Sequence, residues 1–332
     1  MNKPDVLLPV PMPPLVRAGL AKRFNVVDCA AGADPEAAIA RAAPALRFIA
    51  TGVPILTEGV ARPIDAAFLA RFPKLEMIAN LGVGYDNIDA RAAAARGVLV
   101  TNTPDVLTDE TADTAFGLLL CAARQFPWAD RYLRAGKWLE KAFPVTASLR
   151  DRTMGVVGLG RIGKAIARRG EAFGLKIVYN GRRPQADVDY PFFASLEEMA
   201  RACDILMVST PGGADTRNLI DARVLDALGP DGILVNIARG TVVDEPALIS
   251  ALREKRILTA GLDVFADEPR VPAELVAMEH VVLLPHVGSA TGPTRDLMSQ
   301  LVVDNLVAVV DGGAPLTPVA ETPWRNSATG AQ

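Results

Sequence analysis

The stretch "TMGVVGLGRIGKAIARRGEAFGLKIVYNGRR", Thr153 to Arg183, decides the fold. Met154 to Val157 form a short apolar run rich in β-formers, the signature of a buried strand. Glycines follow at Gly158, Gly160 and Gly163. Ile162, Ile166 and Phe173 then recur at spacings of four and seven, with Ala165 and Ala172 beside them, as one face of a helix requires. "LKIVYN" reads as a second strand. A lone GxGxxG is weak, and a purely structural strand–turn–helix is the plain alternative. Strand, glycine turn, helix and strand in this order form a dinucleotide-binding unit. There Gly158 makes the tight turn, Gly160 admits a pyrophosphate to the backbone, and Gly163 lets helix pack on strand. Leu159, Arg161 and Ile162 complete the turn, where free N–H groups and the helix dipole favour phosphate.

Such a unit normally carries an acidic residue about 20 residues beyond its first glycine, on the ribose hydroxyls of NAD. Here the neighbourhood holds Gly181, Arg182 and Arg183. A carboxylate at 181 would repel a 2′-phosphate, whereas two guanidiniums pair with one. Either arginine alone reads as a solvated loop residue; directly after the second strand, the pair predicts NADP(H) over NAD(H).

Working outward, short β-rich runs alternate with alanine-rich helical stretches, which points to α/β with parallel sheets. The first series is "DVLLPV", "LRFIATG", "LEMIANLG" and "GVLVTNT". The second is "TMGVVGLG", "LKIVYN", "CDILMVST", "GILVNIAR", "LTAGLDVF" and "VVLLPHV". Two Rossmann-like, doubly wound parallel-sheet domains are therefore expected, as 332 residues are long for one core. Residues 1–100 with 290–332 form a discontinuous substrate domain, flavodoxin-like in the family named below. Residues 101–289 form the NADP-binding domain, including an irregular surface arm at 125–151. The helix beginning at "PDVLTDETAD" links them, and an apolar helix from Thr294 to Val310 crosses back. Asp244 is placed to cap "EPALISALR", with Pro246 in its first turn. The polar tail from Glu321 to Gln332 is expected to be poorly ordered.

Bulk properties narrow the partners. A formal net charge of −3 lacks the basic footprint of nucleic-acid binding. Cys29, Cys121 and Cys203 have no metal-ligand spacing and suit a reduced, cytoplasmic protein. Prolines in the apolar opening argue against a signal peptide, and "AFGLLLCAA" is too short to span a bilayer. Neither metal nor membrane is expected.

Carbonyl reduction with a nicotinamide needs a proton donor near neutral pH, and histidine is the usual one. The chain has two. His280 opens a strand, where a surface role is the simpler reading. His286 ends "VVLLPH", at the strand end where open α/β sheets build their sites. A carboxylate partner favours the protonated imidazole, and Glu268 in "DVFADEP" follows another strand. An oxo acid brings its own carboxylate, gripped best by an arginine, and Arg239 in "VNIARG" follows a third. Each alone also reads as a surface residue; together they follow strands of one sheet.

The series "GLGRIG", "NIARGTVVDEPALISAL", "AGLDVFADEP" and "LLPHVGS", with "NLGVGYDNID" earlier, resembles the D-isomer-specific 2-hydroxyacid dehydrogenase family over nearly the whole chain. "GRR", "VLTDETAD" and "GKW" resemble its glyoxylate/hydroxypyruvate reductases. The resemblance implies catalysis by Arg239, Glu268 and His286, with small 2-oxo acids reduced to 2-hydroxy acids. It implies that Leu81, Gly82, Val83 and Gly84 offer backbone N–H groups to the substrate carboxylate. Thr210 and Pro211 would wall the cofactor, with Thr216, Ile237, Ala238 and Gly288 also lining it. Asp263 would meet the nicotinamide amide, with Ser289 beside that end. It further implies a homodimer through the arm, with Trp138 reaching the partner's site. Loops around Ile55, Leu81 and the arm would set substrate size. Two other readings follow from the same motifs: reduction of a bulkier oxo acid (hydroxyphenylpyruvate or 2-ketogluconate), and a dinucleotide-sensing corepressor.

Overall fold

The computed structural model describes residues 3–29, 34–52 and 63–324. Ile55 and residues 325–332 of the tail lie outside the described residues. The chain divides into two units, Met1–Leu107 with Thr291–Gln332, and Thr108–Ala290.

The first unit is built on a parallel sheet of β1 (Asp5–Leu8), β2 (Asn25–Asp28), β3 (Phe48–Gly52), β4 (Met77–Leu81) and β5 (Leu99–Thr101). Its order is β2-β1-β3-β4-β5, the flavodoxin-like arrangement. β3 is buried along its whole length, which is why "FIATG" carries no polar alternation. The helix Gly292–Val310 belongs to this unit, and its Val302, Val303 and Leu306 join Leu8, Phe48 and Met77 in one core cluster. It approaches the helix Pro14–Ala21 so closely that a Cβ on Gly19 would lie 2.8 Å from Val303.

The second unit carries β6 (Thr153–Val157), β7 (Lys176–Asn180), β8 (Phe192–Phe193), β9 (Ile205–Val208), β10 (Ile233–Asn236), β11 (Thr259–Leu262) and β12 (Val282–Leu283). All pairings are parallel, in the order β12-β11-β10-β9-β6-β7-β8. From β6 outward the two halves wind in opposite directions, so β6 and β9 flank the topological switch point, where such sheets bind ligands. "ILMV" and "ILVN" of β9 and β10 are wholly buried. Each such aliphatic side chain taken from water contributes roughly 1.5–3 kcal/mol. The helix Thr108–Arg124 buries Ala112, Ala115, Phe116, Leu118 and Leu119, and starts with Asp109 and Glu110 where its dipole favours acid. The helix Glu245–Arg253 is capped by Asp244, whose Oδ1 accepts the Ala247 N–H at 3.1 Å.

The arm is more ordered than the irregular segment its sequence suggests. Phe126–Arg134 is a helix with no buried residue, followed by a 3₁₀ turn at Lys137–Leu139. Trp128, Tyr132 and Phe143 pack ring on ring there, and Trp138 stays 67% exposed. Among the described residues, no helix is long and apolar enough to cross a membrane.

Candidate active site

Gly158 follows β6 and has φ of +90°. A Cβ there would sit 2.7 Å from the Thr210 Cα, so the turn closes against the chain leaving β9 only as glycine. Ser209 ties the two together, its hydroxyl donating to the Gly158 carbonyl at 2.8 Å. A Cβ on Gly163 would lie 2.2 Å from the Gly158 oxygen, which explains the third glycine of the fingerprint. At Gly160, by contrast, a Cβ would meet nothing within 4 Å. That residue is exposed and opens the helix Arg161–Ala172, and no side chain caps it. A helix start with no side-chain cap and open space before it suits a pyrophosphate. Leu159 is buried and Ile162 half-buried beneath the turn, while Arg161 is exposed. The Thr216 hydroxyl donates to the Pro211 carbonyl at 2.7 Å and closes the 211–216 loop beyond Thr210.

After β7 the chain reaches Gly181, Arg182 and Arg183. Both arginines are exposed, and neither has an ion pair or hydrogen bond among the described residues. Lys164 pairs with Asp187 at 2.5 Å, and Arg169 with Asp113 at 2.6 Å.

Arg239, Glu268 and His286 come together beyond the ends of β10, β11 and β12. Asn236, 1% exposed, shapes the first turn: its Nδ2 donates to the Arg239 carbonyl at 2.9 Å, and its Oδ1 accepts the Ala238 N–H at 3.0 Å. Ile237 and Ala238 are buried, and Arg239 is half-buried with Nη1 on the Ala238 carbonyl at 2.7 Å. Gly240 then meets the next loop backbone to backbone. A Cβ there would fall 1.8 Å from the Phe265 carbonyl carbon.

Glu268 uses both oxygens. Oε1 accepts the Phe265 N–H at 3.0 Å, and Oε2 lies 2.8 Å from Nδ1 of His286. Burial works against its ionisation, yet the His286 hydrogen bond and charge, the Phe265 amide and the Arg239 charge bring its pKa below the ordinary value. An ionised carboxylate only accepts, so Nδ1 carries a proton toward Glu268, and Nε2 is the nitrogen left to exchange a second proton with substrate.

His286 has φ of +53°, the left-handed region that a non-glycine residue rarely enters. Asp263 holds it there. Its Oδ1 accepts the Val287 N–H at 2.7 Å and its Oδ2 the Gly288 N–H at 2.9 Å. Burial pushes the Asp263 carboxyl up, against the lowering effect of those two amides and His286. A Cβ on Gly288 would stand 2.9 Å from Asp263 Oδ2, and Thr114 Oγ1 donates to the Gly288 carbonyl at 3.3 Å. Ser289 follows, half-buried.

His280 lies apart from this group. Its carbonyl accepts from Gln125 Nε2 at 2.9 Å and Thr259 Oγ1 at 2.5 Å, and burial, then Lys255, lowers its pKa. In the first unit, the loop from Leu81 to Gly84 is held by Asn80, whose Nδ2 donates to the Gly84 carbonyl at 3.0 Å. Asn102 Nδ2 holds the Val83 carbonyl at 2.8 Å. The Gly82 N–H is already given to Thr103 Oγ1 at 3.0 Å.

The family model for "D-isomer specific 2-hydroxyacid dehydrogenase, NAD binding domain" matches residues 116–288. The chain belongs to that family. As a D-isomer specific 2-hydroxyacid dehydrogenase it is an oxidoreductase that uses a nicotinamide dinucleotide, and the open glycine turn fits one. It is 42% identical over 319 residues to glyoxylate/hydroxypyruvate reductase A of Arabidopsis thaliana, covering 96% of this chain and 100% of that one. It is 48% identical over 255 residues to hydroxyphenylpyruvate reductase of Plectranthus scutellarioides, covering 77% and 82% of the two chains. Its fold superposes with a TM-score of 0.89, at 46% identity, on the crystal structure of an NADPH-dependent glyoxylate/hydroxypyruvate reductase from Sinorhizobium meliloti in complex with NADP and malonate. That match covers 98% of this chain and 99% of the other.

Residues missing from the sequence reading of this dehydrogenase are those that hold the site residues in place: Ser209, Asn236 and Thr114. Ser209 and Thr114 bond backbone far off in sequence, which leaves no signal before the fold is known, whereas Asn236 bonds the turn two and three residues on, a local Asx-type pattern.

Proposed function

We propose that the protein reduces small 2-oxo acids, glyoxylate and hydroxypyruvate first, to glycolate and D-glycerate with NADPH. The observation that carries this reading is the 2.8 Å pair of His286 and Glu268 beside the Arg239 turn. In the reduction, the bound nicotinamide supplies hydride to the carbonyl carbon from its C4. The Arg239 guanidinium grips the substrate carboxylate and polarises the carbonyl. His286 Nε2 gives its proton to the forming alkoxide, and Glu268 keeps the ring oriented and its charge balanced. The Leu81–Gly84 loop offers backbone amides to an oxo-acid carboxylate, with the Gly82 amide first having to leave Thr103. Asp263 takes the nicotinamide amide in addition to the two backbone groups it already holds.

NADPH preference rests on Gly181 and on the two arginines without ion partners after β7. The NADP complex of the Sinorhizobium meliloti relative supports it. The homodimer expected through the arm, with Trp138 entering the partner's site, is supported by the exposure of Leu133, Trp138, Leu139 and Val145. Three free thiols, two of them buried, suit the reducing cytoplasm.

Reduction of a bulkier oxo acid, hydroxyphenylpyruvate or 2-ketogluconate, is the second reading, favoured by the 48% identity to hydroxyphenylpyruvate reductase. Initial rates with NADPH and NADH against glyoxylate, hydroxypyruvate, pyruvate, hydroxyphenylpyruvate and 2-ketogluconate test both. The first reading predicts the highest kcat/KM for NADPH with glyoxylate or hydroxypyruvate. A maximum at hydroxyphenylpyruvate or 2-ketogluconate replaces it, and no turnover with any substrate favours a sensing protein.

A further inference from the structure

The segment after β7 is fastened to its surroundings at several points, among them the packing of Val188 and Tyr190 on the core and three polar ties, none of which runs through Arg182 or Arg183. The Gln185 side chain donates from Nε2 to the Leu159 carbonyl at 2.6 Å, joining this segment to the glycine turn. The Gln185 backbone N–H donates to the Tyr179 hydroxyl at 2.8 Å. Tyr179 is the large side chain at the heart of β7, 1% exposed, its ring 5.3 Å from that of Phe192. Lys164, on the helix after the glycine turn, pairs with Asp187 at 2.5 Å.

These ties differ in weight. The Lys164–Asp187 pair has side chains 26% and 68% exposed, and pairs so open to solvent contribute little. Tyr179 is buried and Gln185 half-buried, and a neutral hydrogen bond in that setting stabilises by about 1 kcal/mol net. Val188 and Tyr190 anchor the far end of the segment, and the Gln185 contacts are the tie nearest Arg182 and Arg183.

A long arginine side chain loses rotamer freedom when it grips a phosphate, and a backbone held in place beforehand lowers that cost. We propose that Gln185, seated on Tyr179, is a positioning residue for cofactor choice. It holds Gly181–Arg183 beside the glycine turn so that both guanidiniums meet the 2′-phosphate. This rests on the NADPH reading above. Gln185 touches no reacting atom; it acts through Arg182 and Arg183, and the ribose of NAD gains nothing from it.

Gln185→Met removes the side-chain donor at similar volume, and Tyr179→Phe removes the buried acceptor while keeping the ring. Calorimetric Kd values for NADP, NAD, 2′,5′-ADP and 5′-ADP, with the melting temperature of each apo variant, test the assignment. Each substitution is expected to weaken NADP and 2′,5′-ADP by about fivefold, the loss of one hydrogen bond's worth of organisation, and to leave NAD and 5′-ADP unchanged. Unchanged NADP binding in both variants, or an equal loss for NAD, overturns it. Arg182→Ala with Arg183→Ala, measured alongside, separates the two levels. A selective NADP loss there with silent Gln185 and Tyr179 variants removes the positioning role alone; no loss there removes the phosphate clamp and this proposal with it.

Discussion

Nδ1 of His286 and Oε2 of Glu268 lie 2.8 Å apart, while the other carboxylate oxygen holds the Phe265 amide at 3.0 Å. The imidazole is thus aimed by a carboxylate that is itself fixed to backbone.

His286→Ala is expected to cut kcat of oxo-acid reduction by about 10³-fold, the scale of a lost general acid. Arg239→Ala acts differently, because it removes a charge-assisted grip on substrate. A fall in kcat/KM of about 10²-fold is expected, with a rise in KM. Steady-state kinetics at neutral pH check both. Nearly normal turnover of His286→Ala would remove His286 from the mechanism.

Glu268 also links this geometry to acid stability. Its pKa in the folded protein is lowered from 4.5, so the unfolded chain binds its proton more readily. The stabilisation is fully present above the unfolded value and is lost as pH falls through the lower folded value. Glu268→Gln lacks this titration. The melting-temperature gap between wild type and Glu268→Gln should be constant near neutral pH and shrink below about pH 4.5. A gap independent of pH from 7 to 3 contradicts the shift.

Gly240 is the point where the Arg239 turn and the loop toward Glu268 touch. A Cβ would fall 1.8 Å from the Phe265 carbonyl carbon and 2.3 Å from the Ala266 nitrogen. Neither is the end of a flexible side chain, so backbone must move. Gly240→Ala is expected to destabilise by roughly 3 kcal/mol and to reduce kcat further than that loss alone explains. Thermal melts with kinetics below the transition check it; a stable, fully active variant means that the two loops do not meet this closely.

What was legible in the sequence follows from burial. β9 and β10 are buried on both faces, so "ILMV" and "ILVN" show as uninterrupted apolar runs. β2 is half-buried, β8 is two residues of Phe, and both sit at sheet edges, so neither stood out. The helix Phe126–Arg134 is only nine residues long and buries none of them, so too few turns are present for its period to stand out in the sequence. In the site, histidine is scarce and marks a strand end by itself. Ser209 and Gln185 hold backbone groups brought near only by the fold, and no spacing announces them, whereas Asn236 bonds the turn two and three residues on, a local pattern.

Gly181 offers a test of cofactor choice that adds a group instead of deleting one. A Cβ there meets nothing within 4 Å, and the backbone lies outside the left-handed region, so a side chain enters without strain. Gly181→Asp restores the carboxylate that NAD-binding units place near the ribose, and it repels a 2′-phosphate in the same stroke. Combined with Arg182→Ala and Arg183→Ala, which leave the phosphate without its cations, it should raise KM for NADPH by about 10²-fold, while KM for NADH falls or holds. The folded structure should be untouched, since a Cβ at Gly181 meets nothing, both arginines are exposed, and neither has an ion pair among the described residues. The ratio of kcat/KM for the two cofactors, at fixed oxo acid, is the quantity to measure. A ratio that stays with NADPH in the triple variant shows that the 2′-phosphate is gripped elsewhere.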